Sequence, residues 1–538
     1  MDFKNYGEVM MPKQKVLSFL LITVSVFFYS HGQTESKLKI DPALFIYVKE
    51  CRNIMRAIGS KIWEDWDFSQ TPILFYRPLI QDVLINYPHK PKGFEILTGF
   101  NPLGEEKIYY RDGETFIPYD GQNTSKEIDG IRTLVVADTY SNQRDQIRGV
   151  VLGRDKDFVQ KWLDEWNFVP NNPYSQIRLI LHEAFHVFQR KNAPQKNANE
   201  LIAIDYPLLD NFNNSYWSLE AAIMNDALLS KDKASKVQKI KELIAIRDCR
   251  RAKLKKESIE YEDLIEYKEG TAKYIEFAFL KKAQGLVPSK QLFYINGFHG
   301  YGEVLGGILE KELKRIKDII AVNIDMTGNK FGVGPLRFRL YSSGATLALL
   351  LDEVDSDWKK DIFKDEVYLY DKVKDAVKLD ENERFQLIVK TKNEYNYERI
   401  KREKKHFEKE GREVLTEKLK NILETKDNLV SINFSEIGNQ LELSFTPFGV
   451  TKIGEDSAIY DMIPLMGQFE NKAKFKFYKV IPVIVDKGRK ELKFAVKTDI
   501  SEFKVKAGNE IKVDEFALTG SKFEITTNKN KIYIKLLK

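Results

Sequence analysis

The chain has 538 residues, 43% of them hydrophobic and 30% charged, which excludes a disordered or collagen-like polymer and leaves material for two or more cores. Lys plus Arg number 85 against 79 Asp plus Glu; a formal charge of +6 over this length is too thin for a nucleic-acid footprint, so no nucleic-acid partner is expected. Two cysteines, Cys51 and Cys249, supply neither a disulfide framework nor a cysteine-based metal site.

Lys13 and Lys15 precede an apolar run over residues 16–29, with small and polar residues at 30–33. The run is shorter than the about 20 residues a membrane span needs. Residues 1–33 are therefore predicted to be a signal peptide, with Met11 as an alternative start, and the protein to be exported: periplasmic, cell-surface or secreted. An uncleaved N-terminal anchor is the alternative reading of the same run. No membrane span is predicted beyond it. Residues 40–59 have helical spacing. Short β-branched or aromatic runs at 72–76, 93–97, 107–110, 132–136 and 148–152, separated by Gly, Pro, Asn and Asp, are predicted strands. Together they make an N-terminal lobe over residues 34–155. Helical spacing dominates 156–392. Residues 393–427 are dense in Lys and Glu, with Leu415, Leu419, Ile422 and Leu423 in helical register, and predict one exposed amphipathic helix linking two domains. From 428 to 538 charged residues alternate with aromatic or aliphatic ones, predicting an antiparallel β domain with one packed and one wet face. The fold class is α+β.

The segment that carries chemistry is Ser175-Gln-Ile-Arg-Leu-Ile-Leu-His182-Glu183-Ala-Phe-His186-Val-Phe-Gln-Arg190. Ser175 is the predicted N-cap of a helix whose buried face is Ile177, Ile180, Leu181, Ala184, Val187 and Phe188. His182 and His186 then sit about 40° apart around the axis, one turn from each other, where two imidazoles can share one metal ion. Glu183 is beside them, completing the His-Glu-x-x-His zinc pattern in which the Glu acts as general base. With only six histidines in the chain, the pattern arises by accident on the order of once in a hundred such sequences. The alternative is a helix whose two histidines are satisfied by hydrogen bonds at a domain seam.

Catalytic zinc takes about three protein ligands and keeps one open position. No third histidine is near, so a carboxylate is expected. Two downstream stretches offer one: Tyr216-Trp-Ser-Leu-Glu220 and Glu266-Tyr-Lys-Glu269-Gly270-Thr-Ala272-Lys-Tyr-Ile-Glu276. Gly270 and Ala272 permit close approach of another helix or the metal, so Glu269 is favoured and Glu220 is the alternative. Glu266, Glu276 and Asp226 are expected on solvated helix surface.

His182-Glu-Ala-Phe-His186 followed by Glu269-Gly-Thr-Ala-Lys-Tyr-Ile-Glu276 resembles the gluzincin group of zinc metallopeptidases. In more detail the chain is similar to a set of poorly characterised exported bacterial proteins with a peptidase domain. That likeness runs over most of residues 60–360, through Tyr87-Pro-His-Lys-Pro-Lys-Gly-Phe94, the zinc helix, Tyr216-Trp-Ser-Leu-Glu220 and Tyr341-Ser-Ser-Gly-Ala-Thr-Leu-Ala-Leu-Leu-Leu-Asp352. The resemblance implies a zincin-like core, a Zn2+ cofactor on His182, His186 and Glu269, Glu183 as base, and a peptide or protein substrate. In such zincins a strand before the metal helix is the edge on which the peptide pairs; residues 132–136 or 148–152 fit that place, with an ordinary interior strand as the alternative. His299 and Tyr341 are the available transition-state donors. Glu269 lies 83 residues beyond His186, farther than in the best-known gluzincins, and a helical hairpin over residues 215–251 would fill the gap. Two rival readings stand beside the peptidase. One is a non-catalytic envelope or extracellular binding protein that retains the fold and works through its β domain. The other is a zinc hydrolase of a different amide, such as a peptidoglycan crosslink. The intact Glu183 favours an enzyme over a binding protein, because a structural site needs no base.

Overall fold

Residues 37–98, 103–104, 107–117, 123–141, 172–322, 330–438, 440–470, 472–505 and 509–537 are described by the computed structural model. The expected signal peptide, the strand expected at 148–152 and residues 156–171 of the helical lobe lie outside them.

Helix α1 (Ala43–Ile62) repeats apolar residues at helical spacing, and Leu44, Phe45, Val48, Cys51, Ile54, Ile58 and Ile62 are all buried. It covers a six-stranded sheet of β1 (Ile73–Arg77), β2 (Gln81–Ile85), β3 (Glu95–Ile96), β4 (Ile108–Asp112), β5 (Thr124–Ile128) and β6 (Ile131–Ala137). The spatial order is β3-β4-β2-β1-β6-β5, with β1 and β6 parallel and every other pair antiparallel, so the sheet is mixed. Every position of β1 and β2 is buried. Phe75, Val83 and Val136 join α1 and the helical lobe in one core, while Leu74, Tyr76, Leu84 and Val135 close against Phe94 and Ile117 on the other face. The expected strands at 72–76, 93–97, 107–110 and 132–136 appear as β1, β3, β4 and β6. Two strands were not legible. β2 opens on Gln81 and Asp82, and β5 reads Thr-Ser-Lys-Glu-Ile, so neither carries an apolar alternation. Residues 132–136, considered above as a substrate edge, form an interior strand; among the described residues the free edge on that side is β5.

The helical region comprises α2 (Pro173–Asn192), α3 (Asn211–Leu229), α4 (Lys233–Arg251), α5 (Lys256–Ile265), a π turn (Glu266–Gly270) that runs straight into α6 (Thr271–Lys282), α7 (Gly302–Val322), α8 (Val333–Val354), α9 (Trp358–Asp361), α10 (Leu369–Ala376), α11 (Glu381–Glu394) and α12 (Tyr397–Leu423). α3 and α4 pack together as the hairpin that spans the long gap between the histidines and Glu269. Where one linking helix was expected over 393–427, the chain turns at Asn396, in the left-handed region at φ 51°, and only then begins α12. Leu415, Leu419 and Ile422 of α12 pack on Ile459 and Ile484 of the β domain, whereas Leu423 is left 43% exposed. Of the described helices, none is long and apolar enough to cross a membrane.

The C-terminal region forms a seven-stranded and a five-stranded sheet around its own core, which includes Val430, Phe475, Phe494, Phe516 and Ile534. The pairing is antiparallel as expected except at one place. The last strand, Lys531–Leu537, lies parallel to the first, Asn428–Asn433, because the chain returns beside its own start. Cys51 and Cys249 are both free: Cys51 faces the carbonyl of Ile177, and Cys249 lies 3.2 Å from the Tyr216 hydroxyl.

Candidate metal centre

α2 starts two residues before the expected cap. The Asn172 side chain accepts from the N–H groups of Tyr174 and Ser175, and Pro173, with no N–H to satisfy, takes the first helical position. Ile177, Ile180, Leu181, Ala184 and Phe185 bury one face. His182 and Glu183 are buried too, at the edge of that face, and His186 is half-buried one turn on.

Three lone-pair atoms converge there. His182 Nε2 lies 3.2 Å from His186 Nε2, and Glu269 Oε2 lies 3.6 Å and 3.2 Å from those two nitrogens. A tetrahedral zinc ion with bonds of about 2.0–2.1 Å holds its donors about 3.3–3.4 Å apart, so the triangle has the right size. Among the described residues this is also the one group of three or more His, Cys, Asp or Glu side chains placed to share a metal. The donor set, two imidazoles and a carboxylate, fits zinc chemically.

The outer nitrogens fix the tautomers. His182 Nδ1 lies 3.0 Å from Glu276 Oε1 and His186 Nδ1 lies 2.7 Å from Gln189 Oε1, so each ring donates outward and leaves Nε2 unprotonated and facing the other donors. The Gln189 amide cannot flip, because its nitrogen donates to the Lys268 carbonyl and to Thr271 Oγ1. Glu276 is in turn held by Arg178, at 2.7 Å and 3.0 Å, and by Lys273 at 2.9 Å. Without a metal, convergence of three lone pairs calls for a proton. Burial alone would lower the His182 pKa, but its hydrogen bonds to Glu269 and Glu276 raise it to about 10. Glu269 is pulled well below the usual carboxylate range, against its burial, by His186 and His182.

Glu269 is placed by backbone crowding. It lies in the π turn, a rare geometry that shifts the helix register by one residue. Gly270 next to it meets α8 where α8 carries Gly344: a Cβ built on Gly270 would stand 2.5 Å from the Gly344 Cα, and one on Gly344 would stand 2.5 Å from the Glu266 carbonyl oxygen. The close approach expected of Gly270 is thus an approach of a helix. Two turns earlier on α8, Arg337 Nη2 donates to Glu269 Oε1 at 2.8 Å and to the Tyr341 hydroxyl at 2.7 Å, and Arg337 also pairs with Glu200. Burial, and then the nearby Glu269 charge, push Tyr341 well above the usual phenol range, so it remains a proton donor at neutral pH.

These groups line a cleft of about 850 Å³ whose walls include β5 residues Thr124 and Ser125, the α8 residues Arg337, Phe338 and Tyr341, and Phe448 from the C-terminal region. Glu183 opens onto the cleft and makes no hydrogen bond or ion pair with a described residue; burial raises its pKa, and the two histidines oppose the rise.

Of the residues singled out from sequence, the structure brings together His182, Glu183, His186, Glu269 and Tyr341. Glu220 is elsewhere: it is fully buried between Arg247 at 2.8 Å and Arg250 at 2.5 Å. His299 is exposed near the start of α2, where its N–H donates to the Tyr174 hydroxyl, and it does not line the cleft. Glu266 and Glu276, expected on solvated surface, are buried: Glu266 binds Arg247 and Ser343, and Glu276 orients His182. Asp226 is half-buried and accepts from the Tyr395 hydroxyl. Sequence reasoning also passed over Gln189, although it follows His186 by three residues on the same helical side, and over Arg337 and Phe448, for which no local signal exists. No model of a known protein family matches the chain, and no curated protein or solved structure matches it.

Proposed function

We propose that this chain is an exported, zinc-dependent metallopeptidase that hydrolyses peptide bonds with Glu183 as general base. The observation that carries the reading is the convergence of His182 Nε2, His186 Nε2 and Glu269 Oε2 at zinc-like spacing, with an unengaged carboxylate beside them in an open cleft. A structural zinc site would be closed and would need no base.

When bound, zinc supplies Lewis acidity, bringing the pKa of a coordinated water down toward about 7 and polarising the scissile carbonyl. The protein's own residues do the rest. His182, His186 and Glu269 hold the ion, while Glu276 and Gln189 keep both rings in the ligating tautomer. Glu183 takes the proton of the attacking water and returns it to the leaving amine; its raised pKa brings it nearer neutrality, as a base that must also act as an acid requires. The Tyr341 hydroxyl, kept protonated and aimed by Arg337, donates to the carbonyl oxygen as charge builds there. The edge of β5 that is unpaired among the described residues, whose Thr124 and Ser125 border the cleft, offers backbone groups to an extended peptide.

The test pairs metal analysis with a peptide-library assay. Wild-type chain is expected to carry about one zinc and to cleave peptides. Glu183→Ala is expected to keep the zinc and lose activity by about a hundredfold to ten-thousandfold. Wild-type activity persisting in Glu183→Ala sinks the mechanism. A folded chain that holds zinc and cleaves no peptide returns the reading to a binding protein.

A further inference from the structure

Among the described residues, the C-terminal β region reaches the cleft at Phe448. Its turn Pro447–Gly449 lies against α8 and against the short 3-10 turn Glu200–Asp205. The Phe448 ring stands there with its centroid 5.2 Å from the Arg337 guanidinium carbon, and the same guanidinium is 2.8 Å from the metal-side carboxylate of Glu269. One arginine therefore separates this ring from the proposed zinc ligands. Phe448 nevertheless remains 39% exposed and lines the cleft, as does Phe338, whose ring lies 5.5 Å from that of Tyr341. An aromatic surface that lines a cleft beside polar groups offers an apolar group a place to bind.

The turn holds this ring in a fixed position. Pro447 sets one backbone dihedral, the Gly449 N–H donates to the Thr446 carbonyl at 3.1 Å, and the Gly449 carbonyl accepts from Asp461 at 3.0 Å. Gly449 is pressed so closely on Met462 that a Cβ there would collide with the Met462 Cβ. The β region is tied to the helical region on either side of the turn: Lys452 pairs with Asp205, Ile204 packs into the β core, and Lys418 of α12 pairs with Asp461. Glu200, at the head of the same 3-10 turn, pairs with Arg337, so the element that docks the β region also braces the arginine under the ring.

We propose that Phe448 is a specificity-determining residue: the C-terminal β region completes the cleft, and this ring receives an aromatic or large aliphatic side chain of the substrate close to the cleaved bond. The inference rests on the peptidase reading and adds to it the class of side chain selected. One face of the ring is engaged by Arg337, and the exposed remainder is the surface offered to the substrate. An aromatic contact of this kind is worth about a threefold to tenfold change in affinity.

The test measures binding of two peptide hydroxamates, one with a benzyl and one with a methyl side chain, to the zinc-loaded full chain by calorimetry. Wild type is expected to prefer the benzyl compound. In Phe448→Ala, with zinc content unchanged, that preference is expected to fall about threefold to tenfold, and Phe448→Leu, which keeps an aliphatic wall, should retain part of it. The same preference in wild type and Phe448→Ala overturns the proposal and leaves the metal and peptidase reading in place. A wild-type chain that takes up zinc and binds neither compound overturns both.

Discussion

Two buried clusters of charge sit within the same helical region, and each contains a glutamate that looked from sequence like a metal ligand. Around Glu220, Arg247 and Arg250 occupy both carboxylate oxygens, Glu262 is shared by Arg250 and Arg251, and Glu266 takes a further bond from Arg247. Each of these carboxylates has a guanidinium partner, and Trp217 caps Arg250 with a ring-to-cation distance of 4.0 Å. Around Glu269 one oxygen is held by Arg337, while the other faces two imidazole nitrogens whose lone pairs point at the same space. Burial and charge density are common to both clusters. What differs is that the first is closed, while the second leaves converging lone pairs that open on a cleft. A buried glutamate becomes a ligand when its partners leave it a lone pair and an approach.

Substitutions can break the contrast. Glu269→Ala is expected to weaken zinc binding by on the order of a thousandfold, one ligand's share of a typical structural zinc affinity, as read by competition with a fluorescent chelator. Glu220→Ala should do the opposite: zinc per folded molecule is retained, while unfolding in urea shows a loss of about 3–5 kcal/mol, the cost of leaving Arg247 and Arg250 buried without their acid. Zinc loss in Glu220→Ala with stability intact would erase the distinction. Glu276→Gln, which retains an acceptor for His182 but not the charge, should lower zinc affinity about tenfold to a hundredfold.

A further effect is one of pH. His182 in the metal-free protein holds its proton up to about pH 10, and zinc must displace it, so affinity should fall about tenfold for each unit of decreasing pH between 9 and 6, measured by calorimetry in buffers of different ionisation enthalpy. Its folded pKa is raised, so the protonated histidine stabilises the metal-free fold fully below about pH 6.5 and that contribution is lost as the pH rises through 10. In the arginine cluster the contrast is at Glu262. Despite its burial, Glu262 is held by Arg250 and Arg251 at about 2, so its depressed carboxyl contributes stability above about pH 4.5 that disappears only as the pH falls through 2.

The legible part of the site was the part written in consecutive residues. His182, Glu183 and His186 share one helix, so a spacing of four and an adjacent acid defined their geometry before any tertiary contact was known. Glu269 was reached through its neighbour Gly270, because a glycine inside a helical pattern signals close approach. Glu276 was misjudged: seven residues from Glu269 on the same helical side, it carried the same pattern as a solvated charge, and only the position of His182 distinguishes the two. Arg337 and Phe448 come from segments far apart in the chain and meet only through docking of the β region. In the fold, strands with aromatic or β-branched alternation and the apolar seam of α12 were visible. Polar β5 was not, and it is the strand that borders the cleft.

The contact between Gly270 and Gly344 makes the π turn and α8 a single mechanical joint. On one side of it sits Glu269, and one and two turns along the other sit Tyr341 and Arg337, so the carboxylate and the phenol keep their spacing because two backbones touch with nothing between them. A methyl group at either glycine would act as a wedge, forcing the helices apart by about an ångström to restore normal contact distance. The wedge would alter no charge, yet a lever arm of that length carries the displacement into the cleft, where for the proposed peptidase about an ångström is enough to cost on the order of a hundredfold in rate.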